Sequence, residues 1–301
     1  MISPQAMMVK SMLKQAKESG EPVVSVEQQR ISLEALAALS PSAEGTTSTV
    51  TTLAGLSAEV IEPEEIETDN VVMYLHGGAY TAGSISTHRA LVSRICKAAK
   101  ARAYLIEYRL APEHPFPAAI EDSLSAYQGL VKSGVPADKI IVAGDSAGGG
   151  LALALLLKLK QIRYPLPRRV VLISPWTDLT GSARSISERA ELDPFLHADS
   201  LRPAAEIYLD GADPTDPLAS PLFGDLQGLP DSLVLVGSDE ILFDDSTRLV
   251  EALNKAGSSS RLVVGEGMWH VWPAFPMMPE SEEAIAEIAA FIHTDPALLD
   301  A

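Results

Sequence analysis

Short apolar runs alternate with helical patterns along most of this 301-residue chain, and that alternation limits the fold more than any other feature. The runs are rich in β-branched residues and lie at 71–75, 103–107, 140–144, 170–174, 233–237 and 262–265. Runs that are apolar throughout suit central strands of a parallel sheet. The helical patterns between them lie at about 87–101, 117–132, 147–161, 244–256 and 280–293. We therefore predict a doubly wound α/β fold with a mostly parallel sheet flanked by helices.

A pair of early runs and two longer segments lie outside this alternation. Residues 48–53 and 58–61 are more polar and lie close together, which predicts an antiparallel hairpin at the edge of the sheet. Residues 1 to about 45 have the pattern of two helices, and residues 177–225 separate two strands by far more than a usual loop. Insertions at the carboxyl ends of strands are where a lid would form.

Charge and cysteine content exclude several classes of protein. The net charge is −17, with 23 Lys and Arg against 40 Asp and Glu, which argues against a nucleic-acid partner. The single cysteine, Cys96, cannot form an intrachain disulfide, and its helical context predicts a small packed group. The segment 1–19 predicts an amphipathic helix and lacks signal-peptide features, and the apolar segment 151–159 is too short for a membrane span. We expect a cytoplasmic protein with no membrane span.

The candidate nucleophile is Ser146, in the sequence Gly144-Asp-Ser-Ala-Gly148 between an apolar strand and an apolar helix. A nucleophilic serine needs a tight strand-to-helix turn, where glycines allow close packing and the helix N-terminus favours developing negative charge. The Gly-x-Ser-x-Gly pattern alone is weak, and its position between strand and helix is what supports the prediction. No Lys-Ser or Lys-Thr follows the glycines, so this is not a phosphate-binding loop.

The candidate oxyanion hole follows the strand at 71–75, in the sequence His76-Gly-Gly-Ala-Tyr80. Glycines let backbone amides approach a substrate oxygen without interference from side chains. We assign the oxyanion hole to the loop of Gly77, Gly78 and Ala79 together with Ala147. The amides of Gly78, Ala79 and Ala147 are the expected donors. His76 directly follows a buried strand, so we expect it to orient the loop through a hydrogen bond.

The candidate general base is His270, one of six histidines in the chain. The order nucleophile, acid, base leaves His270 and His293. His293 lies in the last helical pattern, whereas His270 lies in a loop after the final strand, where a base can reach the serine.

Five sequence segments together resemble the bacterial esterases related to mammalian hormone-sensitive lipase, over nearly the whole chain. They are residues 76–80, 108–119, 144–148, 174–176 and the segment around His270. The resemblance implies an α/β-hydrolase core with a helical cap, no metal or other cofactor, short- to medium-chain acyl esters as substrates, and a homodimer. Ala79 departs from the family, which usually has a third glycine there, so we expect a modified pocket wall.

The acid lies among four carboxylates after the strand at 233–237, namely Asp239, Glu240, Asp244 and Asp245. The family pattern Asp-Pro-Leu-x-Asp implies Glu240, with Asp239 as the alternative. Asp244 and Asp245 resemble first-turn residues that interact favourably with a helix dipole. In this interpretation Glu240 orients His270, which takes the proton of Ser146 as the hydroxyl attacks the acyl carbon.

The resulting domain division is a cap from residues 1–45 and 177–225, with the catalytic core formed by 46–176 and 226–301. Position alone suggests Tyr80, Phe195 and Tyr208 as substrate-binding residues. The segment 108–119, with Glu113 and His114, is interpreted as a structural brace. A lactone or amide hydrolase with the same triad stays open, because the same groups attack either carbonyl; a non-catalytic receptor is disfavoured, because base and acid are both present.

Overall fold

One eight-stranded sheet forms the centre of the computed structural model, which describes residues 2–20 and 25–293, in the order β1-β2-β4-β3-β5-β6-β7-β8. β1–β2 and β2–β4 pair antiparallel, and the other neighbours pair parallel. The strands are β1 Thr46–Leu53, β2 Leu56–Pro63, β3 Val71–Leu75, β4 Arg102–Ile106, β5 Ile140–Asp145, β6 Arg169–Ile173, β7 Asp231–Gly237 and β8 Ser260–Gly265. The predicted α/β fold is confirmed, including the antiparallel hairpin.

Helices cover both faces of this sheet. The helices of the described residues are α1 Pro4–Ser19, α2 Val26–Ala37, α3 Ile85–Ala99, α4 Ala118–Lys132, α5 Ala147–Gln161, α6 Ser185–Glu188, α7 Ala198–Leu209, α8 Phe243–Lys255 and α9 Pro279–His293. Side chains alternate along β3: Val72 and Tyr74 belong to the cluster that contains α3 and α9, and Met73 and Leu75 to the cluster with α4, α5 and α8. The central strands β3, β5, β6 and β7 are therefore buried on both faces, which explains why these strands are apolar almost throughout.

The last strand, which the sequence predicts to be central in the sheet, lies at its edge. β8 lies at the edge of the sheet, paired with β7 on one side, and most of its residues are only half-buried. The apolar run at 262–265 resembled a central strand because an apolar run by itself does not reveal how many neighbours a strand has.

The parallel strands end in register at one edge of the sheet. Leu75 pairs with Gly144, Asp145 with Ile173, and Gly237 with Gly265. The loops that follow β3, β5, β6, β7 and β8 are therefore neighbours, although they are far apart in sequence.

The two long segments outside the alternation each contain helices. α1 and α2 precede the sheet, and α6 and α7 lie within residues 177–225. The helix predicted over 1–19 begins at Pro4 with Ser3 as its N-cap; Met1, residues 21–24 and residues 294–301 lie outside the described residues. Within the described chain, no helix combines the length and apolarity needed to cross a bilayer. Cys96 is buried in α3, as expected, and burial raises its pKa to about 12.

Candidate active site

Ser146 occupies a sharp turn between β5 and α5. Its φ is 52° and its ψ is −124°, a conformation that a non-glycine residue rarely adopts. The turn is held by the Ser146 amide, which donates to the carbonyl of Ile173 at 2.9 Å, and by the Ser146 carbonyl, which accepts from the amide of Trp176 at 2.9 Å. These bonds maintain the strained backbone that presents the hydroxyl group at the end of the sheet.

The glycines on either side of Ser146 are required by close packing. A Cβ atom on Gly144 would lie 2.4 Å from the carbonyl oxygen of Gly148, and one on Gly148 would lie 2.1 Å from the carbonyl oxygen of Leu75. Both distances are shorter than a side chain allows. The strained φ lies at Ser146 itself, while the glycines let β3, β5 and α5 approach one another.

Ser146, His270 and Glu240 form a continuous hydrogen-bonded chain. The Ser146 Oγ lies 2.9 Å from His270 Nε2, and His270 Nδ1 lies 2.7 Å from Glu240 Oε2. Glu240 is fully buried, and its other oxygen, Oε1, accepts from the Gly237 amide at 2.6 Å and the Ser174 hydroxyl at 2.8 Å. Every oxygen of this carboxylate is thus engaged, and Oε2 is directed at the imidazole.

The other three carboxylates considered for the acid point elsewhere. Asp239 pairs with Lys10 of α1 and accepts from the Ser238 hydroxyl at 2.8 Å. Asp244 and Asp245 lie in the first turn of α8, as expected. Asp245 does more than face the helix dipole, since it is buried and accepts from the backbone amides of Thr177 at 2.7 Å and Asp178 at 2.9 Å.

The carboxylates around His270 control its protonation. Burial disfavours the imidazolium, but the hydrogen bond and charge of Glu240, with further carboxylates at Asp193 and Asp145, outweigh burial and raise the pKa of His270 above 6.5. Such an environment stabilises the positive charge that an imidazole gains when it accepts a proton.

Two residues of the loop after β3 line the same cavity as Ser146, and their backbone amides have no acceptor among the described residues. The amides of Gly78 and Ala79 donate to no protein acceptor within residues 2–20 and 25–293, and both residues line one cavity with Ser146 and His270. Gly78 has a φ of 119°, and a Cβ there would lie 2.2 Å from the Ala82 carbonyl oxygen. Ala147 is the first residue of α5, where the amide has no intrahelical partner. The three amides are available to a ligand oxygen.

Gly77, the remaining residue assigned to the oxyanion loop, makes a hydrogen bond inside the protein. Its amide donates to Asp145 Oδ1 at 3.1 Å, so it is occupied within the protein. Asp145 also accepts from the Tyr74 hydroxyl at 2.9 Å and forms an ion pair with His88 at 3.2 Å. Gly77 therefore holds the loop in place instead of donating to a substrate, and a Cβ on it would meet Asp145 Oδ2 at 2.3 Å.

His76 lies beneath the same loop and is fully buried. Its Nδ1 donates to the Gly77 carbonyl at 2.8 Å, which is the orienting hydrogen bond that the sequence suggested. Burial lowers the pKa of His76 to about 3, so the ring stays neutral. The ring stacks on Tyr108, whose hydroxyl donates to the His76 carbonyl at 2.6 Å.

A cavity of about 390 Å³ opens over Ser146 and His270. Apolar side chains from α2, α3 and α7 form much of its wall, including Leu33, Leu36, Leu91, Leu201 and Ile207. Phe195 also lines it and stacks on the His270 ring with 6.3 Å between centroids. The space suits an apolar group larger than a few carbon atoms.

Tyr80 and Tyr208, suggested as substrate-binding residues, do not line this cavity. They stack face to face with ring centroids 3.8 Å apart, and each is about 1% exposed. The structure places them against each other because two aromatic rings next to a site gain more by mutual packing than by facing solvent.

Ser174 is a residue whose importance the sequence analysis missed. It directly follows β6, and its hydroxyl donates to Glu240 Oε1 and accepts from the Val271 amide at 3.0 Å. It thereby links the loop of Glu240 to the loop of His270. The sequence feature that indicates this role is the position of Ser174 at the carboxyl end of a central strand, beside the strand that precedes Ser146.

The segment 108–119 anchors α2. Arg30 forms an ion pair with Glu113 at 2.7 Å and donates to the carbonyls of Thr81 and Ala111. The supporting role expected for this segment is consistent with these contacts. Elsewhere in the described residues, no group of three or more His, Cys, Asp or Glu side chains is arranged to hold a metal ion.

The fold and the matching family profile define the class of this protein. A profile of the α/β-hydrolase fold matches residues 72–274, which is more than half of the chain. The chain therefore belongs to the α/β-hydrolase family.

Relatives and solved structures give the narrower group. An acetyl-hydrolase of Streptomyces hygroscopicus is 43% identical over 246 residues, covering 81% of this chain and 82% of its own. An esterase of Acinetobacter venetianus is 40% identical over 241 residues, 79% of each chain. A crystal structure of an esterase from the bacterial hormone-sensitive lipase family superposes with a TM-score of 0.92 at 39% identity, covering 96% of this chain and 97% of that one. The crystal structure of EstE5 soaked with p-nitrophenyl butyrate also superposes with a TM-score of 0.92 at 39% identity. It covers 99% of this chain and 100% of that one. Within the α/β hydrolases, the protein is an ester-hydrolysing enzyme of the bacterial hormone-sensitive lipase family.

Proposed function

We propose that the protein is a serine carboxylesterase that cleaves short- to medium-chain acyl esters through an acyl-enzyme on Ser146. His270 is the general base and Glu240 the acid that orients it. The observation that carries this proposal is the hydrogen-bonded chain from Ser146 Oγ through His270 to Glu240, at 2.9 and 2.7 Å.

The first half-reaction forms the acyl-enzyme. His270 Nε2 takes the proton of the Ser146 hydroxyl while the oxygen attacks the acyl carbon, and Glu240 stabilises the resulting imidazolium. The amides of Gly78, Ala79 and Ala147 stabilise the oxyanion, because their N–H groups have no acceptor among the residues that the structure describes. Collapse of the tetrahedral intermediate breaks the bond to the alcohol, which leaves with the proton held by His270.

Water completes the cycle. His270 takes a proton from a water molecule that attacks the acyl carbon, and the second tetrahedral intermediate uses the same three amides. The bond to Ser146 Oγ then breaks, the serine recovers its proton from His270, and the carboxylic acid is released.

The substrate class rests on the cavity and on relatives. The apolar wall over Ser146 suits an uncharged acyl or alcohol group of moderate length. One relative is an acetyl-hydrolase, and EstE5 was soaked with p-nitrophenyl butyrate. Acetyl and butyryl are both small acyl groups, which supports a short-chain substrate.

The direct test is hydrolysis of p-nitrophenyl butyrate by the wild type and by Ser146→Ala. We expect Ser146→Ala to lower kcat by about 10⁶-fold, because loss of a nucleophilic serine removes the covalent pathway. Ser187→Ala, which alters an exposed serine, is the matched control and should retain wild-type activity. Activity of Ser146→Ala near that of the control would refute the proposal.

We also propose the cap, the oligomeric state and the location. The cap comprises residues 1–45 and 177–225, and its support is that α2 and α7 line one cavity. A homodimer is proposed from the family resemblance, and light scattering after size-exclusion chromatography tests it. A cytoplasmic location is supported by a single, buried cysteine, and cell fractionation tests it.

A further inference from the structure

The carboxylate of Asp193 is buried between the 177–225 segment and the loop that carries Glu240. The residue is 1% exposed. Its Oδ1 accepts from the amides of Phe195 at 2.9 Å and Leu196 at 3.0 Å, and its Oδ2 accepts from the amide of Ile241 at 3.0 Å. Burial of a carboxylate is costly unless hydrogen bonds compensate it, and here backbone amides from two separate segments do so.

Each of these segments contributes to the site. On one side, Phe195 and Leu196 line the cavity, and the Phe195 ring stacks on His270. On the other side, Ile241 directly follows Glu240, whose Oε2 meets the imidazole at 2.7 Å. One side chain thus connects the wall of the cavity to the loop that orients the base.

The segment around Asp193 is held in place from α1 as well. Lys17 donates to the carbonyl oxygens of Ala190 at 2.9 Å and of Asp193 at 2.7 Å. These contacts involve the backbone, so the Asp193 carboxylate remains free to bind both segments. Because the surrounding residues are closely packed, a small change at this carboxylate displaces both of the segments that it contacts.

We propose that Asp193 is a positioning residue that couples the cavity wall at Phe195 and Leu196 to the loop of Glu240. It touches neither the reacting atoms nor the imidazole, and it acts through the residues that do. The inference rests on the proposed function, because it assigns Asp193 to the same Ser146, His270 and Glu240 site.

The main test is Asp193→Asn, which preserves shape and removes one acceptor. An amide has one oxygen and one NH₂ group, so either the Ile241 amide or the pair at Phe195 and Leu196 then faces another donor. We expect kcat for p-nitrophenyl butyrate to fall about tenfold, as loss of one charge-assisted hydrogen bond in the site predicts. KM should rise by a few fold, because the wall shifts as well.

The pH profile separates positioning from a merely structural role. The Asp193 charge acts together with Glu240 and Asp145 to raise the pKa of His270, against the effect of burial. Asp193→Asn should therefore move the acid limb of kcat/KM to lower pH. A residue that only stabilises the fold would lower Tm and leave this midpoint unchanged.

A second variant, Asp193→Ser, separates the two contacts. A serine hydroxyl can still accept from the amides at Phe195 and Leu196 but is too short to reach Ile241. We expect KM close to wild type and a reduced kcat. If Asp193→Asn fails to fold, Asp193→Ser tests the same proposal. Rates are expressed per active serine, which is titrated with an organophosphate.

The controls identify which claim fails. Asp199→Asn removes an exposed carboxylate from the same segment and should leave kcat, KM and the pH midpoint unchanged. If Ser146→Ala is inactive while both Asp193 variants match Asp199→Asn in all three quantities, the positioning role is wrong and the proposed function stands. If Ser146→Ala remains active, the proposed function itself fails.

Discussion

Replacing Glu240 by glutamine should inactivate the enzyme with little change in its shape. Glutamine has the same size, and its oxygen can keep the bonds from the Gly237 amide and the Ser174 hydroxyl, at 2.6 and 2.8 Å in the wild type. Its NH₂ group then occupies the place of Oε2, 2.7 Å from His270 Nδ1. Two donors cannot face each other, so Nδ1 must lose its proton and Nε2 must carry it.

That tautomer directs a proton at Ser146 Oγ instead of a lone pair, so the imidazole can no longer act as a base. In serine proteases, replacement of the triad aspartate by asparagine, which also converts the acid to an amide, lowers kcat by about 10⁴-fold. At 1.36 kcal/mol for each factor of ten, this corresponds to a barrier higher by about 5 kcal/mol. We expect a loss of that order for Glu240→Gln in kcat on p-nitrophenyl butyrate.

Asp239→Asn is the matched control, since it alters the adjacent carboxylate. Asp239 forms an ion pair with Lys10, and the Asp239 side chain is 20% exposed. Partly exposed ion pairs contribute about 1 kcal/mol or less to the free energy of unfolding. The control should retain activity within a few fold of wild type. Circular dichroism and a thermal melt verify that both variants are folded. If Glu240→Gln keeps activity within tenfold of wild type, or if Asp239→Asn loses more, Glu240 is not the acid.

Three further predictions concern the pH response and the packing of the site. The neutral imidazole is the active form of His270, and its pKa is raised. The value of kcat/KM should therefore be maximal at high pH and fall as the pH is lowered, with a midpoint above pH 6.5. A midpoint below pH 6.5 would contradict the influence of the surrounding carboxylates. Gly148→Ala should give insoluble or inactive protein, because its Cβ would lie 2.1 Å from the Leu75 carbonyl oxygen, and a soluble, fully active variant would refute this packing argument. Burial raises the pKa of Asp245 to about 7, so the folded protein holds this proton more tightly than the unfolded chain and loses stability as pH rises from about 4 to 7. The urea midpoint of Asp245→Asn relative to wild type should therefore increase over that range, and a constant difference would show that Asp245 does not titrate there.

The sequence was most informative about elements whose stability depends on local pattern. Each predicted core helix lies within two residues of its position in the structure, and α5 matches at both ends. Periodicity and the Ser84 capping box specify such helices locally. The edge position of β8 could not be obtained in this way, because the number of neighbours of a strand depends on the order of strands in the sheet.

The same distinction separates the candidate site residues. Ser146 and His270 could be proposed from motif and chain order, because each follows a strand and the carboxyl ends of parallel strands meet at one edge. Gly77 was assigned to the oxyanion loop by its place in the glycine sequence. Only the structure revealed that its amide binds Asp145, 68 positions away along the chain.

What the sequence by itself determined was therefore the class of fold, the strand-to-helix turn at Ser146 and the loop position of His270, since these follow from local periodicity and glycine placement. The tertiary structure alone decided which carboxylate reaches His270, that Tyr80 packs on Tyr208 away from the cavity, and that Asp193 joins two segments. Those outcomes depend on contacts between residues distant in sequence. Such contacts are selected by the packing of the whole chain, which no local pattern encodes.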